Sequence, residues 1–152
     1  MKKIALLFLI YLIPLFASSQ TLTSAQAINK SGRQIAISQR IAKDYLMILA
    51  GIKTEEATKD LEEYSSIFNE NIQDLSIYCK TKGTQDLLTN ISEIWRQLRL
   101  EITEAPSTNE AVKVIEDANT LLVLSNFLTE KIVAESNLKT GKLVNIDRKS
   151  VV

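Results

Sequence analysis

The sequence predicts an all-α protein, an antiparallel up-down-up-down four-helix bundle. Of its 152 residues 45% are hydrophobic, yet only 4 are Gly and 2 are Pro. So few helix-breaking residues are typical of long helices and disfavour a many-turned β-sandwich or barrel. Apolar residues recur every three or four positions in four segments. The links between the segments are short, so consecutive helices are expected to be antiparallel neighbours.

The chain begins like an exported protein. Lys2 and Lys3 precede an apolar run over residues 4–16, and the small residues 17–19 follow it. This order predicts a secretory signal peptide. The run is short for a membrane-spanning helix, which needs about 20 apolar residues. An uncleaved N-terminal anchor is the alternative.

Three parts are therefore expected along the chain. They are a signal peptide over 1–19, a four-helix bundle over 20–141 and a basic C-terminal tail over 142–152. The signal predicts secretion across the inner membrane, most simply into a periplasm.

The first helical segment is expected from about Thr23 to Ala50, with Gly51 as a left-handed cap. A spacing of seven places its apolar stripe on four residues, widened by Leu46 and Ile52: Ile28, Ile35, Ala42 and Leu49.

The other three segments follow from cap residues and prolines. The second is predicted from Thr54, as its N-cap, to Gly83. The third is predicted from about Thr84 until just before Pro106. The fourth is predicted from the capping box Ser107–Glu110 to about Lys139, with Gly141 as its cap.

Composition excludes several classes of function. The 18 basic and 18 acidic residues cancel, which disfavours a nucleic-acid-binding protein. The absence of His excludes Ser-His-Asp catalysis and His-bound zinc. Cys79 is the only cysteine, so no internal disulfide forms, and we expect a buried small hydrophobe there. We expect no catalytic residue, metal site or cofactor.

The first helix carries four cations opposite its apolar stripe: Lys30, Arg33, Arg40 and Lys43. One interpretation is a solvated helix face. The other is a ligand site in which Arg33 and Arg40 bind an anion, because a guanidinium offers forked donors to an oxyanion. Ser38 and Gln39, which adjoin Arg40, belong to this predicted site.

Small residues accompany these cations. Ser31 and Ser38 lie beside the apolar stripe, and Gly32 lies inside the helix, where it costs about 1 kcal/mol relative to Ala. We interpret Ser31, Gly32 and Ile35 as a seam for helix packing or dimerisation.

This first-helix motif resembles a known family. The stretches 28–34 (INKSGRQ) and 38–43 (SQRIAK) are similar to the opening helix of the PilJ/NarX-like sensor domain, and 118–126 is similar to its last helix. That domain is the periplasmic part of type IV pilus chemoreceptors and nitrate/nitrite sensor kinases. The resemblance implies a four-helix sensor bundle, often dimeric.

The resemblance also implies where an anion would bind. In the family's nitrate sensors, a dimer-related pair of first-helix arginines grips the anion. Ile35 occupies that position here and has no group that binds an anion. The resemblance therefore implies the fold, whereas nitrate is not the expected ligand. Arg40 does match an arginine of the family.

Two classes of function follow. The first is an exported, non-catalytic sensor-like module that binds a small anion, another small molecule or a partner. The alternative is a structural or interaction protein of the cell envelope, which acts through helix packing, as a homodimer or on another envelope protein. Catalysis is disfavoured because no set of residues with catalytic geometry can be named.

Overall fold

The structure is a computed structural model that describes the backbone of residues 21–149 and the side chains through Thr140. It contains four helices: α1 (Ser24–Leu49), α2 (Thr54–Tyr78), α3 (Lys82–Thr103) and α4 (Thr108–Lys149). No strand occurs among these residues. The predicted all-α four-helix bundle is thereby confirmed. The predicted signal peptide, 1–19, lies outside the described residues.

Side-chain contacts give the helix directions. At one end, the Tyr78 hydroxyl donates to Ser24 Oγ at 2.9 Å, so the end of α2 meets the start of α1. At the other end, the Ser107 N–H donates to the Tyr45 hydroxyl at 3.2 Å, so the start of α4 meets the end of α1. The Thr81 hydroxyl, before α3, reaches Glu135 of α4 at 2.6 Å. Consecutive helices therefore alternate in direction.

Local sequence explains where α1 and α4 begin. The Thr23 hydroxyl accepts from the Gln26 N–H at 3.2 Å, and the Gln26 side chain accepts from the Thr23 N–H at 2.9 Å, a complete capping box. At the start of α4, Ser107 Oγ accepts from the Glu110 N–H at 3.2 Å. The Ser107 N–H donates to the phenol of Tyr45, so a core tyrosine takes the place of the second half of that predicted box.

Three predicted helix boundaries are wrong. Helix α2 ends at Tyr78, because Thr81 caps the next helix by accepting from the Thr84 N–H at 3.3 Å. Gly83 therefore lies in the first turn of α3. The N-cap of α2 is Lys53, in the left-handed conformation, and Thr54 is already helical. Gly141 does not end α4, which continues to Lys149.

The centre of the α1 stripe also differs from the prediction. Helix α1 is buried on two sides. Its fully buried residues recur at alternating spacings of four and three, and half of them are polar: Ala27, Ser31, Gln34, Ser38, Ile41 and Tyr45. Of the predicted stripe, Ala42 is buried, while Ile28 and Leu49 are partly buried against the core. Ile35 is only partly buried and lies outside the core cluster. The buried face predicted from apolar residues alone is therefore shifted by about one residue along α1 from the buried face in the structure.

The four helices are unevenly packed. Helix α1 packs along α2 and α4, and α3 packs along α4, whereas α2 and α3 contact each other at far fewer places. The contact between α2 and α3 includes the rings of Phe68 and Trp95, whose centroids lie 4.4 Å apart at an angle of 33°. Both residues are buried. A groove follows α2 and α3 on either side of this aromatic pair.

No helix in the described part of the chain combines the length and the apolar character that a membrane span requires.

Phe68 should contribute strongly to stability, because its ring is fully buried and contacts Trp95. We expect Phe68→Ala to lower the free energy of unfolding by about 3–5 kcal/mol, as core Phe→Ala changes do. Phe127 of α4 is 51% exposed, so Phe127→Ala is the matched control and should change it by about 0.5 kcal/mol or less. Urea unfolding followed by circular dichroism measures both. Equal losses in the two variants would contradict the position of Phe68 in the core.

Candidate functional site

The structure does not bring the four predicted ligand residues of α1 into one cavity. Ser38 is fully buried, and its hydroxyl donates to the Ile35 carbonyl of its own helix at 2.9 Å. The Gln39 amide turns toward α4, where it donates to the Ala118 carbonyl at 3.3 Å. Arg40 turns the other way, toward α2, and Arg33 is exposed. A shared site for all four within one copy of the chain does not follow from this arrangement.

Three of the four α1 cations have partners inside the bundle. Lys30 pairs with Asp74 of α2 at 2.8 Å. Arg40 donates to the hydroxyl of Tyr64, and its guanidinium lies 5.1 Å from the centre of that ring. Lys43 lies 2.9 Å from the buried carboxylate of Asp44. Among the described residues, only Arg33 of these four has no ion pair, hydrogen bond or cation–π contact.

The predicted seam residues face different directions. Ser31 is fully buried and donates to the Ile28 carbonyl at 3.1 Å, so it belongs to the packing within the bundle. Gly32 is partly exposed, and a Cβ built on it would meet nothing within 4 Å. Gly32 and the partly buried Ile35 are thus open to another molecule, while the use of this seam stays a prediction.

Helix α1 also buries a polar residue that the sequence analysis did not select. Gln34 is fully buried, and neither its amide oxygen nor its amide nitrogen has a hydrogen-bond partner in the described part of the chain. Asn71 of α2 is buried as well, and it accepts from Lys30 at 3.3 Å. The sequence alone does not show that these polar residues are buried, because their burial depends on how the neighbouring helices pack.

A series of cavities lies elsewhere, between α2 and α3. Three cavities follow one another along this α2–α3 groove, with volumes of about 700, 410 and 480 Å³. The first and second share Ile72, Ser92 and Arg96 in their linings. The second and third share Arg99 and Thr103. None of the predicted α1 site residues lines these three cavities.

Cys79 lines the first cavity of the groove and is buried, as expected from the sequence. Burial raises the pKa of its thiol. The thiolate is the reactive form, so this environment favours an unreactive structural cysteine.

A pair of acidic residues, Glu101 of α3 and Asp117 of α4, was also missed from the sequence. Burial, and then the charge of Asp117, raises the pKa of Glu101. Burial and the charge of Glu116 raise the pKa of Asp117. Neither residue lines the three groove cavities. No group of three or more metal-binding side chains occurs within residues 21–140.

Comparison with known protein families gives one match. Residues 16–126 match the family described as "Type IV pili methyl-accepting chemotaxis transducer N-term", PilJ. The match covers well over half of the chain, including α1, α2, α3 and the first part of α4. No curated protein and no solved structure matches the sequence significantly.

The chain therefore belongs to the PilJ family of sensory, non-catalytic domains. These domains are the periplasmic sensor domains of membrane receptors, and they form the input part of chemoreceptors. This match confirms the PilJ part of the resemblance seen in the first helix.

The raised pKa of Glu101 predicts a pH dependence of stability. Between the usual value of 4.5 and the raised value, the folded chain holds more protons than the unfolded chain. The free energy of unfolding therefore falls as the pH rises through this interval. Glu101→Gln removes the titrating group, so this variant should be more stable than the wild type at pH 7 and equal to it below pH 4.5.

Urea unfolding at a series of pH values measures this difference. Glu93→Gln is the control, because Glu93 is an exposed carboxylate on the same helix. A Glu101→Gln variant that is less stable than the wild type at pH 7 would show that the Glu101 charge stabilises the fold. That result would contradict the raised pKa of Glu101.

Proposed function

We propose that the chain is a non-catalytic sensory input module that acts outside the cytoplasm, where it binds a small ligand. The observation that supports this proposal is the family match over residues 16–126, because PilJ domains are input domains of chemoreceptors. The export signal predicted at residues 1–19 supports the location.

The first-helix site remains our proposal for a small anion, with Arg33 as its main ligand. Arg33 is exposed and has no partner in the described part of the chain, so its guanidinium can accept an anion without breaking an existing contact. Arg40 would contribute less, because it already binds Tyr64. Gly32, next to Arg33, leaves space for a second copy of α1. Two copies would then supply two Arg33 side chains, two residues before Ile35, which occupies the position of the arginine pair in the family's nitrate sensors.

A thermal-shift screen of the purified chain with nitrate, nitrite, sulfate and acetate tests this site. An anion at about 100 times its Kd should raise the free energy of unfolding by about 2.7 kcal/mol. Arg33→Ala should abolish this stabilisation. Lys59→Ala, the loss of an exposed α2 cation, should leave it unchanged. A flat response to every anion would eliminate the first-helix anion site.

The structure gives one observation in favour of the alternative, an interaction protein of the envelope. Helix α4 exposes large apolar side chains outside the bundle core, including Val112, Val123, Phe127 and Leu138. Exposed apolar patches of this kind are common where proteins associate. In this alternative, the α4 surface contacts a second copy or another envelope protein.

Light scattering on the purified chain tests self-association through α4. We expect a species larger than the monomer, and we expect Phe127→Glu to restore the monomer because a charge in an apolar contact is costly. Asn90→Glu, a charge added at an exposed position of α3 away from the α4 surface, is the control. A wild-type chain that is monomeric at all concentrations would eliminate self-association.

A further inference from the structure

The middle cavity of the α2–α3 groove has the features of a binding site. It has a volume of about 410 Å³, within the usual range for small-molecule pockets. We call it the arginine pocket, and its lining is Asn69, Ile72, Ser92, Trp95, Arg96, Arg99, Leu100 and Thr103. We propose that the arginine pocket binds a small organic monocarboxylate with an apolar body. This site is separate from α1, so the inference goes beyond the first-helix site proposed above.

The arginine pocket is positively charged. Arg96 and Arg99 are one helical turn apart on α3, so both side chains lie on the same face. Both are exposed, and neither guanidinium makes an ion pair or a hydrogen bond with the described residues. No acidic side chain lines the arginine pocket. The pocket therefore carries two uncompensated positive charges, which favour an anion.

The acidic residues of the two neighbouring cavities, Asp86, Glu93 and Glu62, form no ion pair with these arginines. Glu93 lines the first cavity together with Arg96, and Glu62 lines the third cavity together with Arg99. Neither carboxylate forms an ion pair with either arginine in the structure. The guanidinium groups are thus available to a ligand.

Neutral donors add to the charges. Trp95 is only 3% exposed, and its indole N–H has no hydrogen-bond partner in the described part of the chain. A buried donor without a partner destabilises the fold, and an acceptor on a bound ligand would recover this loss. The Asn69 amide makes no hydrogen bond within residues 21–140 and lines the same pocket.

The two hydroxyls in the lining are not donors to a ligand. Ser92 donates to the Leu88 carbonyl at 2.7 Å, and Thr103 donates to the Arg99 carbonyl at 2.6 Å. Recognition of the carboxylate thus depends on the two arginines, the Asn69 amide and the Trp95 N–H.

The apolar side chains of the pocket favour an organic anion over an inorganic one. Ile72, Leu100 and the ring of Trp95 line the pocket beside the arginines. An inorganic oxyanion would bind the guanidinium groups and leave this apolar surface in water. A carboxylate with a short aliphatic or aromatic body covers the apolar surface and binds the arginines at the same time.

Trp95 supplies the measurement, because it is the only tryptophan in the chain. We titrate the purified chain with benzoate and follow the tryptophan fluorescence, with benzamide as the uncharged analogue of the same shape and sulfate as the inorganic anion. We expect a saturable change with benzoate at a Kd at least about tenfold lower than those of benzamide and sulfate. Sulfate binding as tight as benzoate binding would overturn the apolar part of the inference, and no saturable change with benzoate or hexanoate would overturn all of it.

Variants locate the site. We expect Arg96→Gln and Arg99→Gln each to weaken benzoate binding about tenfold or more, because each removes a charge-assisted hydrogen bond. Both residues are exposed, so circular dichroism should show an unchanged helix content. Lys59→Gln, the loss of an exposed α2 cation that does not line the groove, is the matched control and should bind benzoate as the wild type does. Benzoate binding that survives in both α3 variants, or that is lost in Arg33→Gln alone, contradicts the arginine pocket. Loss in Arg33→Gln alone would assign benzoate to the first-helix site, so this variant separates failure here from failure of that site.

Discussion

The burial of α1 against two neighbours is the constraint on which the rest of the structure depends. Ala27, Ile41 and Tyr45 are fully covered, because α2 lies on one side of α1 and α4 lies on the other. A helix in a protein owes most of its stability to the packing of its apolar face rather than to helix propensity, so these two contacts supply most of the stability of α1. The Tyr45 hydroxyl also binds the first N–H of the α4 cap, and it thereby connects the core of α1 to the start of another helix.

The same constraint determines where ligands can reach the protein. The helices α2 and α3 are attached mainly through α1 and α4, so the contact between α2 and α3 is free to open into a groove. The aromatic pair Phe68–Trp95 closes part of it. Most of the first-helix cations form an ion pair or a hydrogen bond with another residue of the bundle, whereas the guanidinium groups of Arg96 and Arg99 in α3 do not. Two separate surfaces, the outer face of α1 and the α2–α3 groove, are therefore candidates for recognition in this family member.

The sequence predicted the helices well because their caps and apolar spacing are local properties. It correctly predicted the number and order of the helices, the buried Cys79 and the family. It misplaced the core of α1 because Ser31, Gln34 and Ser38 are polar, and only the packing of two neighbouring helices shows that they are buried. No residue of the α2–α3 groove was selected as a ligand from the sequence, because the opening between α2 and α3 is a tertiary property that no local pattern encodes. Gly83 and Gly141 were mistaken for helix ends because glycine is frequent at caps but not confined to them.

Native-state hydrogen exchange tests the central role of α1 most directly. Amides on the buried face of α1, near Ile41 and Tyr45, should exchange only when the whole chain unfolds, because two helices cover them. Amides in the middle of α2 and α3 should exchange through smaller openings, with a lower free energy, because each of these helices has one extensive partner. Protection in α2 and α3 that equals or exceeds the protection of α1 would contradict a bundle organised around its first helix.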